Sequence, residues 1–205
     1  MDKKFLLTEF LELTTEDEYG LLTEEEKEKV SSGEEVIMSG IMQKADTENG
    51  NGRIYPKNIL EREVENYKKL VRENRALGQL DHPESAIVEL EKVSHVVTHI
   101  EMRGNDVVGK IKLLDTPQGR IAKELRRNNI KYGISSRGVG STKEESGKTM
   151  VQDDFQLVCF DLVSEPSTPG AFMIAEGKIP NDIYSKADKI NRAINDILTE
   201  VKNEK

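Results

Sequence analysis

The chain has one cysteine, Cys159, and no tryptophan. A lone thiol excludes an intramolecular disulfide framework and any zinc site built on paired thiolates. Aromatic residues make up only 5% of the sequence, so the core must be largely aliphatic. Imidazoles are scarce too. His82, His95 and His99 are the three present, and any histidine chemistry has to come from them. Positive charge is in deficit: Lys and Arg number 30 against 38 Asp and Glu, for a net charge of -8. That argues against a nucleic-acid binder held by phosphate contacts, which needs a basic face. No apolar run approaches the ~18 residues of a membrane span, and Met1–Glu9 lacks the long apolar stretch of a signal peptide. The sequence predicts a chain made in a reducing cytoplasm, with no membrane or nucleic-acid partner.

What is present falls into three stretches, and 205 residues leave room for one good core with a small appendage. Residues 1–34 are rich in Glu, Lys and Thr, and Glu24-Glu25-Glu26-Lys27-Glu28-Lys29 has no apolar face. This reads as an acidic N-terminal arm, either a solvated helix or a disordered segment. Regular structure is expected from Val36. Val36–Met42 has strand character, Asn49-Gly50-Asn51-Gly52 is a turn, and Pro56 suits the first turn of a helix striped by Leu60, Val64, Tyr67 and Val71. Strands are expected at Glu91–Met102 and Asp106–Leu114, turned by Arg103-Gly104-Asn105. Thr116 caps a helix with Pro117 in its first turn and Ile121 and Leu125 inward. Two more strands, Tyr132–Val139 and Met150–Val163, flank a polar loop at Thr142–Lys148. After a linker, Glu176–Pro180, a last helix carries Ile190, Ile194, Ile197 and Val201 on one stripe. The expected class is α/β: an antiparallel-rich main domain over residues 35–172, with 173–205 as linker and amphipathic helix.

Three features bear on chemistry. His82 sits in Leu77-Gly78-Gln79-Leu80-Asp81-His82-Pro83, a loop of the kind that carries functional groups, although an exposed loop histidine fits as well. Gly133-Ile134-Ser135-Ser136-Arg137-Gly138 places two serines in a strand, with Gly and Arg nearby to offer N–H groups or charge to an oxyanion. A serine there needs an adjacent base to become a nucleophile. In Phe155–Val163, alternation puts Phe155, Leu157, Cys159, Asp161 and Val163 on one face, apolar except for Asp161. A carboxylate on such a face must be paired or hydrogen-bonded. An imidazole N–H is one partner, which is the orienting role in a Ser-His-Asp triad, and an arginine is another. His95 and His99, four apart on one strand, share a face and with His82 would suit a metal-dependent hydrolase, but no third ligand accompanies the pair, and a structural role is the simpler reading. Cys159 reads as a small core residue.

Taken together with Asn51-Gly52-Arg53-Ile54-Tyr55-Pro56-Lys57, Gly104-Asn105-Asp106-Val107, the continuation Val139-Gly140-Ser141 and Pro166–Ala171, these segments resemble the prohead core protein protease family of T-even-type tailed phages. That family is similar in fold to the herpesvirus assemblins. The resemblance covers about residues 36–172 and implies a β-barrel-like, assemblin-like antiparallel sheet with flanking helices. It implies a serine endopeptidase inside the phage prohead, in the host cytoplasm, that cuts scaffold and capsid proteins and then itself, with no cofactor and no metal, and with self-association.

By motif, His82 corresponds to the family's base and Ser135 to its nucleophile, with Ser136 competing. Assemblins use a second histidine after the serine; this chain has none after His99, and Asp161 takes that place, with Asp81 and Asp154 as rivals. The family's cleavage after Glu, with Leu or Ile two residues earlier, calls for a fixed cation, for which Arg53 and Arg137 are candidates. Backbone N–H groups near Arg137 and Gly138 are candidates for the oxyanion hole. The same pattern marks Glu9, Glu24, Glu176 and Glu200 as self-cleavage sites outside the core, and residues 1–34 as a removable propeptide. The competing reading is an acidic scaffold component that kept a protease-like fold and lost its chemistry.

Overall fold

The structure, a computed structural model, describes residues 5–11 (backbone path only), 19–83 and 85–164. The expected linker and C-terminal helix, Pro166–Ala171, Glu176 and Glu200 lie outside the described residues, as does the boundary at 172.

Two long strands form the centre: β5 (Val93–Arg103) and β6 (Asp106–Leu113), joined by a tight turn in which Gly104 takes φ +65. Earlier in the chain lie β1 (Phe5–Leu11), α1 (Glu24–Ser31), β2 (Ile37–Lys44), β3 (Arg53–Ile54), α2 (Lys57–Arg72) and β4 (Leu77–Gln79). Later come α3 (Pro117–Arg127), β7 (Gly133–Gly140), β8 (Thr142–Glu145), β9 (Lys148–Val151) and β10 (Gln156–Val163). Among the described residues hydrogen bonding defines three sheets, ordered β2-β6-β5-β4, β1-β7-β10 and β3-β9-β8. Pairing is antiparallel except for β3 with β9 and a single Leu80–Leu162 bridge. The antiparallel α/β architecture with flanking helices is as expected.

Helix α2 buries Leu60, Val64 and Tyr67 of the expected stripe together with Ile59, while Val71 is partly buried against the core. Its Tyr67 meets Phe160 of β10 edge-on at 5.5 Å, and Tyr55 meets Phe155 at 5.2 Å. With Tyr132, these few aromatics sit inside a core that is otherwise mostly aliphatic. Helix α3 starts where Thr116 Oγ1 accepts from the Gly119 N–H at 3.1 Å. Its inward side is not what the stripe suggests. Gly119 and Ala122 are buried, whereas Ile121 is 50% exposed. The helix lies so close to β5 and β6 that a Cβ at Gly119 would stand 2.1 Å from the Leu114 carbonyl oxygen, so only small residues fit the contact. Leu125 packs against the core as expected.

The polar segment Thr142–Lys148 is a hairpin rather than a loop. β8 and β9 pair through Ser146 and Gly147, both at positive φ, the geometry of a two-residue hairpin turn. β8 is exposed, so the apolar alternation that announces a strand is missing. The expected long strand Met150–Val163 is two strands, β9 and β10.

The described residues of segment 1–34 hold more order than the charge pattern suggests. α1 is a solvated helix with no buried residue and a capping box between Thr23 and Glu26. Glu26 also pairs with the nearly buried Lys110 at 2.7 Å, Leu22 is buried, and the Tyr19 and Leu21 carbonyls accept from Arg103 and Lys110. β1 pairs with residues 134–140 of β7.

Candidate active site

β7 and β10 are antiparallel neighbours, and their register sets Ser135 directly opposite Asp161. Directly opposed residues point to the same face, so the strand pairing alone brings hydroxyl and carboxylate side by side. The third group comes from the segment after β4. The Asp81 N–H donates to the Leu162 carbonyl at 2.7 Å, and Asp81 takes φ +65, which swings the chain so that His82 lies over the two strands. Nε2 of His82 is 2.7 Å from Ser135 Oγ, and its Nδ1 is 2.9 Å from Asp161 Oδ2. His82 keeps 24% of its side chain exposed while Asp161 has none.

The competing assignments separate here. Ser136 points to the opposite face, where its Oγ accepts from Gln43 Nε2 at 2.9 Å. Asp154 accepts from the Ser141 N–H and hydroxyl, on a different turn. Asp81 holds the backbone beside His82, while the His82 Nδ1 contact goes to Asp161.

Asp161 is heavily hydrogen-bonded. Burial pushes its carboxyl up, but hydrogen bonds from His82, Arg137 and the Gln79 N–H outweigh that and hold it below the usual carboxylate range. Arg137 Nε donates to Oδ2 at 2.7 Å and Nη2 to Oδ1 at 3.2 Å. Nη2 also donates to Gln79 Oε1, and Nη1 to the Ser85 and Ile87 carbonyls. Arg137 is therefore a fully buried clamp between the carboxylate and the segment after His82, and its guanidinium faces Asp161 rather than an incoming substrate side chain. Alternation along β7 carries this signal, since Arg137 shares a face with Ser135, and a carboxylate on an apolar face calls for a cation. Gln79, a buried polar residue on a short strand, has no such signal.

The other residues singled out are placed as follows. Arg53 lies on β3, in a different sheet from Ser135. Gly138 lies within β7, where a Cβ would sit 2.4 Å from the Phe155 ring, so its small size serves packing. A bulge between Leu157 and Cys159 takes Leu157 out of the expected face of β10. Cys159 stays beside Asp161, buried, with burial pushing its thiol well up, as befits an inert core thiol.

His95 and His99 do not share a face. A bulge at Thr98 shifts the alternation of β5 by one, so Val93, His95, Val97 and Ile100 turn inward and His99 turns out, 41% exposed. The metal reading loses its geometric basis with that pair. His95 instead fills space against Gly78, where an added Cβ would stand 2.3 Å from its Nε2. Burial drives its pKa down to about 4, against the opposing pull of the Asp161 charge. The unfolded chain protonates this imidazole near its ordinary value of 6.5 while the folded chain does not, so stability should fall as pH drops from there toward 4. At pH 4.5 the expected loss from this residue alone is roughly 2–3 kcal/mol. Urea titrations of wild type and His95→Asn at pH 7 and 4.5 would show a smaller pH dependence in the variant; equal dependence would mean that His95 titrates normally in the fold.

A serine whose hydroxyl meets an imidazole, itself oriented by a buried carboxylate, is the arrangement of a serine hydrolase. The chain belongs to the prohead core protein serine protease family, whose description matches residues 17–182. It is 36% identical over 144 residues to the prohead core protein protease of Enterobacteria phage T4, spanning 67% of this chain and 68% of that protein. In structure it is similar to the bacteriophage T4 capsid assembly protease, with TM-score 0.65 and 26% identity over 80% of this chain and 100% of that one. The chain is thus a serine protease of a family that serves phage capsid assembly.

Proposed function

We propose that this protease cleaves scaffold or core and capsid proteins inside the prohead during capsid maturation, and cleaves itself, with His82, Ser135 and Asp161 as its catalytic residues. The observation that carries the assignment is the continuous hydrogen-bonded path Ser135–His82–Asp161, at 2.7 and 2.9 Å. His82 Nε2 accepts the Ser135 proton as Oγ attacks the scissile carbonyl carbon, and later returns it to the leaving amine. Asp161 holds the Nδ1 proton and stabilises the imidazolium, and it is itself fixed by Arg137. The tetrahedral oxyanion is received by one backbone N–H of β7, at Arg137 or Gly138. Neighbouring strand residues direct these groups to opposite sides, so one of the two faces away from β10. This intact constellation supports an enzyme over a degenerate scaffold component.

For specificity we propose Glu at the cleaved bond, with Leu or Ile two residues before it, and Arg53 as the remaining cation candidate. Leu7-Thr8-Glu9 and Leu22-Thr23-Glu24 fit this pattern before the core, and Ile174-Ala175-Glu176 and Leu198-Thr199-Glu200 after it. The Glu24 side chain is 88% exposed. Incubating wild type and Ser135→Ala separately and reading intact masses tests the reading. Shortening at one or more of these four glutamates in wild type only is expected. Cuts elsewhere, or equal cuts in the variant, would overturn it.

A further inference from the structure

β7 has two edges. One is filled by β10, which supplies Asp161; the other is filled by β1, from the segment that the charge pattern marks as an arm. Residues Gly133–Gly138 of β7 are buried, so the backbone groups on the β1 side would be an unsatisfied row without a partner strand. Such a row is a template for an extended polypeptide, which binds by adding a strand. The register makes the position specific. Phe10 stands opposite Ser135 and Glu9 opposite Ser136, so the peptide bond joining Glu9 to Phe10 runs beside the serine that His82 contacts. The chain is also tied down just beyond β1, by Arg103 to the Tyr19 carbonyl at 2.6 Å and Lys110 to the Leu21 carbonyl at 3.1 Å. A short tether from such an anchor keeps the local concentration of the segment high.

We propose that the β1 edge of β7 is the docking site for the substrate's extended backbone, and that Phe5–Leu11 occupy it in cis, covering Ser135 until they are displaced. The proposal rests on Ser135 being the nucleophile, and it adds that the chain as folded here is self-blocked. It makes residues 5–11 part of the working device, acting through strand pairing.

The test is the rate at which a fluorophosphonate, a small serine-directed reagent, labels the chain. Adjacent residues of an edge strand direct their N–H groups to opposite sides, so either Leu7→Pro or Thr8→Pro removes one that faces β7. Wild type and both variants are labelled with residues 1–11 still attached, as intact mass confirms, and circular dichroism checks that each is folded. We expect one of them to label about tenfold or more faster than wild type, as release of a mostly occupied site requires. Deletion of residues 1–11 should do the same, and a synthetic peptide of residues 1–18 should slow the deleted chain again. Ser135→Ala should not label at all. Equal, measurable rates in wild type, both proline variants and the deletion would overturn the self-block while leaving the nucleophile in place. No labelling of any folded chain would overturn the nucleophile and the proposal with it.

Discussion

Replacing Ser135 by Ala is expected to lower kcat/KM on a cleavable peptide by roughly 10⁴–10⁶, because nucleophile and base act as one unit and removing either forfeits nearly all of their joint effect. Ser136→Ala, one residue along β7, should lose less than about tenfold. Its hydroxyl lies on the far face, bonded to Gln43, and does not meet the imidazole. Its cost should appear in stability instead. Gln43 is buried, and its orphaned amide should cost about 1–3 kcal/mol. The pair of variants is informative because the substitutions are chemically identical and adjacent, so a difference between them measures the alternation of a strand. Peptide hydrolysis and urea unfolding, run on both, decide it. If Ser136→Ala were the inactive one, the strand register opposite Asp161 would be wrong.

Arg137→Leu should damage both stability and turnover. It leaves the fully buried Asp161 carboxylate with His82, the Gln79 N–H and the weak Cys159 thiol, and removing one member of a buried ion pair typically costs about 3–5 kcal/mol. It also frees the Ser85 and Ile87 carbonyls that tether the segment after His82. The turnover loss should fall on kcat with little change in KM, since the guanidinium is spent on the Asp161 carboxylate and neighbouring acceptors. Arg137→Lys should recover only part, because one ammonium cannot reproduce a fork that reaches five acceptor atoms on four residues. Combining Arg137→Leu with Asp161→Asn should cost less than the two single losses added, because the double variant leaves no buried charge unpaired. Strict additivity in urea unfolding would mean that the pair is not coupled.

Much of the site was legible in advance because it depends on short-range rules. Asp161 stands out as a carboxylate on an apolar strand face, and Ser135 and His82 lie in motifs that resemble a known family. Strand alternation places Arg137 on the face of Ser135, but the sequence assigns it to the substrate or the oxyanion, and its pairing with Asp161 follows only from the β7–β10 register. Other readings failed where the backbone departs from its regular period. A bulge at Thr98 separates His95 from His99, and a second beside Cys159 removes Leu157 from its face. A bulge has no residue signature of its own, so no periodicity argument finds it. Ile121 turned outward because α3 packs closely enough to admit only Gly119 and Ala122, a distance set by two other strands.

The sequence by itself determined the α/β class, the helix stripe of α2, the cap at Thr116, and the three residue types available for catalysis. Each follows from local period or from simple scarcity, as with three histidines and one cysteine. Tertiary structure alone decided which serine meets the imidazole and which carboxylate orients it. Those depend on the β7–β10 register, a pairing of residues far apart in the chain. It also decided that residues 5–11 form a strand. Their own sequence is apolar and acidic in turn without a settled period, and an isolated edge strand gains little from water. It becomes ordered only where β7 presents a complementary row of backbone groups.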